Sequence, residues 1–216
     1  MINIIPLPLL SKMGLYDIEI HGANVKVSLV ENLALVDAKV DEFRSSLQTS
    51  ESQVVGLDIK FVKTDGNLNK GRFLLLCVGS HCLMIQLPDS NEVTYTLMKF
   101  LSDESICFLG TGMSEKVTEL GCLYFYGYRE GTLVTQRVNC NTGVEVGYLA
   151  AKILKKPNVE QYGLVELAGE VGMDIKEPIS ECPDWNAKVF SHEDVKYALH
   201  NAYTSYVIGN KVLDML

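Results

Sequence analysis

The stretch that decides the fold is VVGLDIKF, residues 54–61. Its residues are almost all apolar, which is typical of a strand at the centre of a sheet that is covered on both faces. Asp58 and Lys60 are the two charged residues in it. The sequence therefore predicts a buried central strand that carries a carboxylate and an ammonium group.

On the N-terminal side and directly after this strand, the sequence predicts four more strands and a helix. Residues 16–30 alternate in polarity and predict a hairpin that turns near Gly22 and Ala23. Residues 32–47 have apolar side chains at helical spacing. After a polar turn at 63–71, residues 72–87 predict two strands joined at Gly79 and Ser80.

The second half of the chain is mainly helical by its spacing. Helices are predicted over 91–103, 114–123, 144–154, 162–172 and 195–216, with a short buried strand at 106–112. Ser191 and Asp194 form a capping-box pattern before the last helix. This order predicts an α/β fold with a mixed central sheet flanked by helices. We expect one domain over 15–216, preceded at 1–14 by an arm that is loose or docked on a partner.

Charge and cysteine content limit the possible functions. The net charge is -8, whereas proteins that coat nucleic acid are usually basic. A local groove can still be positive on an acidic body, so a nucleic-acid role stays open. None of the six cysteines forms a C-x-x-C pair, and most lie in apolar runs, so we expect reduced, buried thiols and no zinc site. The apolar segment at the N-terminus, residues 1–10, is too short to span a bilayer. We therefore expect a cytoplasmic or nuclear protein without a membrane partner.

Three segments resemble the Werner syndrome-type 3'-5' exonuclease domains, of the DEDDy type in the ribonuclease H-like superfamily. VVGLDIKF (54–61) resembles the first motif, a strand with D-x-E, and FLGTGMSEKVTEL (108–120) resembles the second. DWNAKVFSHEDVKYALHNAYTSYVIG (184–209) is similar to the third. The resemblance covers roughly residues 50–213 and is nearest to the small plant members, some of which are ring-shaped homo-oligomers. It implies the ribonuclease H-like 3'-5' exonuclease fold.

Active members of this family use four carboxylates to hold two divalent metals that activate water and stabilise charge on the phosphate. At the matching positions this chain has Asp58, then Lys60 in place of the Glu and Lys116 in place of the second-motif Asp. Tyr197 matches the catalytic tyrosine, and Asn201 stands where the fourth acid belongs. The resemblance therefore implies catalytic remnants at Asp58 and Tyr197 in a degenerate active site.

The replacements change the net charge of the four positions from negative to positive. An ammonium group 4 Å from a divalent ion repels it by roughly 8 kcal/mol at an effective dielectric constant of 20. We therefore predict no metal ligands and no metal cofactor. Lys60, Lys116 and Asn201 become candidate nucleic-acid-binding residues, because a lysine neutralises a phosphate as a point charge. In the other interpretation, Lys60 pairs with Asp58 or Glu115 and the pocket is inert.

Two functions remain open at this point. The first is a pseudoenzyme that binds single-stranded nucleic acid or forms oligomers, with itself or with an active relative. The second is an active exonuclease on single-stranded RNA or DNA that uses Mg²⁺ or Mn²⁺ and an atypical acid set including Glu115 or Glu145. We also expect His200 to be half-exposed helix surface and Trp185 to be a core residue. The aromatic cluster at 124–128 is expected to pack a neighbouring subunit or to stack bases.

Overall fold

The computed structural model describes residues 4–50, 52–64, 69–129, 132–178 and 181–216. The strands are β1 (Ile4–Pro6), β2 (Leu15–Ile20), β3 (Ala23–Val30), β4 (Val54–Lys63), β5 (Asn69–Val78), β6 (His81–Gln86), β7 (Cys107–Gly110), β8 (Tyr124–Arg129), β9 (Thr132–Arg137), β10 (Gly143–Glu145) and β11 (Val189–Ser191). The helices are α1 (Leu7–Lys12), α2 (Leu33–Gln48), α3 (Tyr95–Leu101), α4 (Met113–Leu120), α5 (Val146–Leu154), α6 (Leu164–Glu170) and α7 (His192–Leu213), with a 3-10 helix at Pro157–Gln161.

The predicted mixed sheet is confirmed. Within the described ranges, seven strands pair in the order β10-β7-β4-β5-β6-β3-β2. Strand β4 is parallel to β7 and antiparallel to β5, so the apolar run at 54–61 lies in the interior of the sheet. The central part of the predicted turn at 63–71 lies outside the described residues.

The two faces of β4 belong to different layers. Val55, Leu57 and Ile59 pack into the core that lies under α2, α3 and α4. Because side chains alternate along a strand, Gly56, Asp58 and Lys60 face the opposite layer. That layer contains α7, whose residues share a second core with Phe73, Leu75 and Cys77 of β5. The strand thus presents Asp58 and Lys60 to α7.

Helix α7 begins as the sequence predicts. The Ser191 hydroxyl accepts a hydrogen bond from the Asp194 N–H at 3.1 Å, and the Asp194 carboxylate accepts one from the Ser191 N–H at 2.6 Å. The helix approaches β4 closely at Gly56, where a Cβ atom would lie 2.0 Å from the carbonyl oxygen of Ala202. Only glycine leaves room for this contact between helix and strand.

The segment at 1–14 is docked on the domain in its described part. β1 pairs antiparallel with β11, and the Leu7 N–H donates to the carbonyl oxygen of Lys188 at 3.0 Å. Leu7 and Leu10 of α1 are buried in the same core as α7. The boundary between an arm and a domain stays a prediction.

Several β elements were missed in the sequence, among them β1 and β11, which pair with each other. β10 is a three-residue edge strand that pairs with β7 directly before α5, in a stretch that we predicted to be helical throughout. β8 and β9 form a separate antiparallel hairpin outside the main sheet. Such short pairings depend on neighbours that periodicity within one segment does not identify.

The expectation of reduced, buried thiols is wrong for four of the six cysteines. Cys77 and Cys82 are direct partners across β5 and β6 and form a disulfide, with their Cα atoms 4.3 Å apart. Cys122 and Cys182 are exposed. The distance between Cys77 and Cys82 depends on the register of the two strands, which is known only from the folded hairpin. None of the helices in the described part of the chain is both long and apolar enough to cross a bilayer.

Candidate functional site

The candidate site is centred on one buried carboxylate that contacts two ammonium groups. The Lys60 Nζ lies 2.6 Å from Oδ2 of Asp58, and the Lys116 Nζ lies 2.5 Å from Oδ1. Lys116 also donates to the carbonyl oxygen of Thr111. Asp58 is 2% exposed, and the two lysines are 7% exposed. We call these three residues the Asp–Lys–Lys cluster.

The cluster is assembled from three distant parts of the sequence. Asp58 and Lys60 share the α7-facing side of β4, and the ladder with β5 shifts register directly after Lys60. Lys116 extends from the first turn of α4, which follows β7 through Gly110 and Gly112. β7 pairs with β4 in parallel, so the loop after β7 lies beside the part of β4 that carries Asp58.

Opposing effects set the protonation state of Asp58. Burial by itself raises the pKa of Asp58, because a charge is poorly solvated in the interior. The charges and hydrogen bonds of Lys60 and Lys116 outweigh burial and hold that pKa below its ordinary value. The carboxylate is therefore ionised, and the Asp–Lys–Lys cluster carries one net positive charge in a buried position.

Aromatic rings cover Lys60 on the α7 side. Its Nζ lies 5.6 Å from the ring centre of Tyr197 and 5.8 Å from that of Trp185. A cation above an aromatic face is attracted by about 0.5–2 kcal/mol, depending on how far it is desolvated. Burial raises the pKa of Tyr197, followed by the influence of Cys182 and Glu177, so the phenol remains neutral. Trp185 is buried, as predicted, and it is also a cation partner.

The structure thus brings together four of the five residues that the sequence singled out. Both lysines contact Asp58, and the ring of Tyr197 lies against Lys60. Asn201 lies one turn after Tyr197 on α7 and is half-buried. Its side chain makes no hydrogen bond to any residue that the structure describes. The roles assigned to these residues stay predictions.

The two acids proposed for an atypical metal site have other partners. Glu145 accepts hydrogen bonds from the backbone N–H groups of Gly112 and Met113, at 3.0 and 2.5 Å, and so caps the N-terminus of α4. Glu115 accepts one from Asn69 Nδ2 at 3.1 Å.

Magnesium requires a set of anionic or neutral oxygen ligands with room to approach them. Here Asp58 has both oxygens in contact with ammonium groups. In the described ranges, no three His, Cys, Asp or Glu side chains are grouped closely enough to hold a metal ion. The residues in this arrangement do not fit a metal pair.

His200 is the functional candidate that the sequence placed wrongly. It is 4% exposed rather than half-exposed, and its Nε2 lies 3.6 Å from Oε2 of Glu177. Its ring meets that of His21 edge-on, with the ring centres 5.1 Å apart. Burial, then His21 and Lys60, lower the pKa of His200 to about 4, so the imidazole is neutral at pH 7. The sequence contained one signal of this burial. His200 comes three residues after Tyr197 and four residues before Thr204, so the three side chains share one face of the helix.

Comparisons with known proteins identify the fold. No protein-family profile matches the chain. A curated protein of Acanthamoeba polyphaga mimivirus, provisionally named a 3'-5' exonuclease, is 22% identical over 205 residues, which cover 88% of this chain. The chain spans 46% of the length of that relative.

Two solved structures have a similar fold. Brucella melitensis NrnC has a TM-score of 0.58 and 17% identity, over 79% of this chain and 76% of that one. Escherichia coli RNase D, an exoribonuclease involved in structured RNA processing, has a TM-score of 0.62 and 18% identity, over 88% of this chain and 44% of its own. The chain has the ribonuclease H-like 3'-5' exonuclease fold, as predicted. The assignment to a small plant group finds no support in these matches.

One prediction is overturned by the comparisons. From the lost carboxylates we predicted no metal cofactor. Brucella melitensis NrnC has been solved with bound Mg²⁺, and that structure aligns with this chain at a TM-score of 0.56. The related structures thus point to metal-dependent proteins, and the prediction relied on the charge count alone.

Asp58→Asn should destabilise the fold, because it removes the anion and leaves two buried ammonium groups without a counter-charge. Breaking a buried ion pair in this way costs about 3–5 kcal/mol in the free energy of unfolding. Urea denaturation at pH 7 measures this change, with Asp37→Asn on the exposed side of α2 as the control. A loss for Asp58→Asn no greater than that of the control would mean that the ion pairs are not formed.

Acid should destabilise the protein through His200. Its native pKa of about 4 lies below the ordinary value of 6.5, so between these pH values the unfolded chain binds a proton that the native state does not. The free energy of unfolding then falls by up to about 1.4 kcal/mol per pH unit as the pH decreases through this range. His21, whose pKa is also lowered by burial, acts in the same direction. The free energy of unfolding, measured by urea denaturation at several pH values from 7 to 4, should depend less steeply on pH in His200→Gln than in the wild type. The exposed His192→Gln should show the same pH dependence as the wild type.

Proposed function

We propose, on the basis of the ribonuclease H-like 3'-5' exonuclease fold, that this chain holds the phosphate of a nucleic-acid end without hydrolysing it. The observation that carries the proposal is the Asp–Lys–Lys cluster, in which two ammonium groups share one carboxylate and leave one positive charge. A buried excess charge is costly unless a counter-ion approaches it. A phosphate oxygen from a nucleic-acid end supplies that charge.

The chemistry of lysine supports binding over hydrolysis. An ammonium group donates charge-assisted hydrogen bonds to phosphate oxygens. It does not lower the pKa of water to generate hydroxide, as a bound divalent metal does. Tyr197 is a neutral phenol, and Glu115 and Glu145 already accept hydrogen bonds from other groups. The two lysines in contact with Asp58 thus act as hydrogen-bond donors to phosphate.

The solved relatives support the ligand class. One structure of Brucella melitensis NrnC contains pGG, and it aligns with this chain at a TM-score of 0.55. The same fold thus holds a short nucleotide in that protein. We extend this ligand class to the present chain, with single-stranded RNA or DNA ends as the partner.

A second candidate is an active exonuclease. It is supported by the retained Asp58 and Tyr197 and by the Mg²⁺-bound structure of NrnC. It requires Lys60 and Lys116 to move off the Asp58 oxygens before a metal approaches. Assembly into oligomers is a further proposal, supported by the exposed side chains of Tyr126, Tyr128 and Leu133 on the β8–β9 hairpin.

A nuclease assay separates binding from catalysis. End-labelled single-stranded RNA and DNA are incubated with the wild type and with a Lys60→Glu, Lys116→Asp, Asn201→Asp triple variant, each with Mg²⁺ and with Mn²⁺. We expect the wild type to leave both substrates intact, because three of its four acid positions are cationic or neutral, and the triple variant to trim them. Trimming by the wild type that disappears in Asp58→Ala would establish the active exonuclease instead.

Lys60→Met and Lys116→Met should each weaken the binding of a single-stranded oligonucleotide by about tenfold, the effect of one charge-assisted hydrogen bond. Each substitution leaves Asp58 paired with one lysine, so the remaining pair is neutral and the fold persists. Fluorescence anisotropy at fixed salt measures the affinity, with the exposed Lys26→Met as the matched control. Equal losses in all three variants would show that only overall charge matters.

A further inference from the structure

A cavity near the Asp–Lys–Lys cluster shares Tyr197 with the surroundings of Lys60. Its volume is about 450 Å³, within the range of about 300–1,000 Å³ that is usual for small-molecule sites. It is formed by the β2–β3 turn, the first turns of α7 and the loop at 174–178. The lining side chains that matter here are Glu19, His21, Glu177, Lys196, Tyr197 and His200.

Tyr197 lies between the cavity and the Asp–Lys–Lys cluster. Its ring lines the cavity and also lies 5.6 Å from Nζ of Lys60. His200, on the same helix face, feels the charges of both Lys60 and Asp58. A molecule with a phosphate against the lysines therefore has its next chemical group within reach of this cavity.

One residue that lines the cavity, His200, has a buried polar atom without a hydrogen-bond partner among the described residues. The Nε2 of His200 is buried and makes no hydrogen bond to any residue that the structure describes. His21, by contrast, is held in place by a hydrogen bond of 3.1 Å between its Nε2 and Oγ1 of Thr204. A buried ring nitrogen without a partner costs free energy, and a ligand that hydrogen-bonds it recovers that cost.

The charge of the cavity excludes a second phosphate. Besides Glu19 and Glu177, its lining includes the carboxyl groups of Asp174 and Glu193, against the ammonium groups of Lys176 and Lys196. The acidic groups outnumber the basic ones, and both histidines have a lowered pKa and are neutral at pH 7. Carboxylates accept hydrogen bonds and do not donate them. The cavity therefore suits a neutral, planar group that carries N–H donors.

We infer that this cavity binds the nucleobase of the terminal nucleotide, and that it favours bases with an exocyclic amino group. The base stacks against the rings of Tyr197 and the histidines, hydrogen-bonds His200, and donates its amino group to Glu177. This inference rests on the proposed function, because the phosphate of the same nucleotide lies against Lys60 and Lys116.

Mononucleotide binding tests it in the full chain. The probes are AMP, CMP, GMP and UMP, with ribose 5-phosphate as the probe that lacks a base and inorganic phosphate as the probe for the lysines alone. Binding is followed by calorimetry and by the fluorescence of Trp185, the single tryptophan, which lies over Lys60. We expect the amino-bearing nucleotides to bind about tenfold more tightly than ribose 5-phosphate, from stacking of the base. They should bind about fivefold more tightly than UMP, from the hydrogen bond of the amino group.

Two variants test the residues. Glu177→Gln, at a side chain that is 67% exposed, should reduce the preference over UMP and leave ribose 5-phosphate binding unchanged. His200→Gln should weaken all four nucleotides equally. Because His200 is buried, a far-ultraviolet spectrum establishes that this variant folds. The exposed Glu160→Gln is the matched control, and it should change nothing.

The outcomes separate this inference from the proposed function. Nucleotides that bind no more tightly than ribose 5-phosphate, while inorganic phosphate competes with them, would overturn the base site and keep the phosphate site. An unaltered preference over UMP in Glu177→Gln would overturn the amino-group recognition. No binding of any probe, including inorganic phosphate, would overturn the proposed function and this inference with it.

Discussion

The ion pairs of Asp58 with Lys60 and Lys116 are the interaction on which the rest of this site depends. Two ammonium groups contact the two oxygens of one carboxylate, in a position with almost no exposure to solvent. The charged lysines are stable in the interior only because the ionised carboxylate compensates their charge. The carboxylate, in turn, stays ionised only because the lysines outweigh its own desolvation. Removing either partner therefore changes the charge state of the whole cluster.

Close packing between α7 and the sheet gives this cluster its aromatic cover. Gly56 on β4 and Gly209 on α7 both lie where a Cβ atom would meet a neighbour at 2.0–2.1 Å, Ala202 in one case and Leu109 in the other. These glycines let the helix lie directly on β4 and β7. The helix thereby places Tyr197 against Lys60, while the chain before β11 places Trp185 on the same ammonium group. The cation–π contacts therefore depend on the close approach of the helix to the strand.

The site divides into two parts of different electrostatic character that meet at Tyr197. On one side, the Asp–Lys–Lys cluster has a net positive charge and suits an anionic oxygen. On the other, the cavity at the β2–β3 turn has neutral imidazoles and an excess of carboxylates. A nucleotide has the same polarity, with an anionic phosphate and a neutral base with hydrogen-bond donors. This match is the physical basis of both the proposed function and the base site.

The sequence by itself determined the fold class, the central strand and the residues of the cluster. The apolar run around Asp58 predicted the central strand, and the Ser191–Asp194 pattern predicted the start of α7, because burial and capping leave signals within one segment. It did not determine that both lysines turn inward onto Asp58, that His200 is buried, or that Cys77 and Cys82 are paired. Lys116 is 58 positions from Asp58, and only the pairing of β7 with β4 brings it there. Contacts between distant segments depend on strand order and helix packing, which the tertiary structure alone decided.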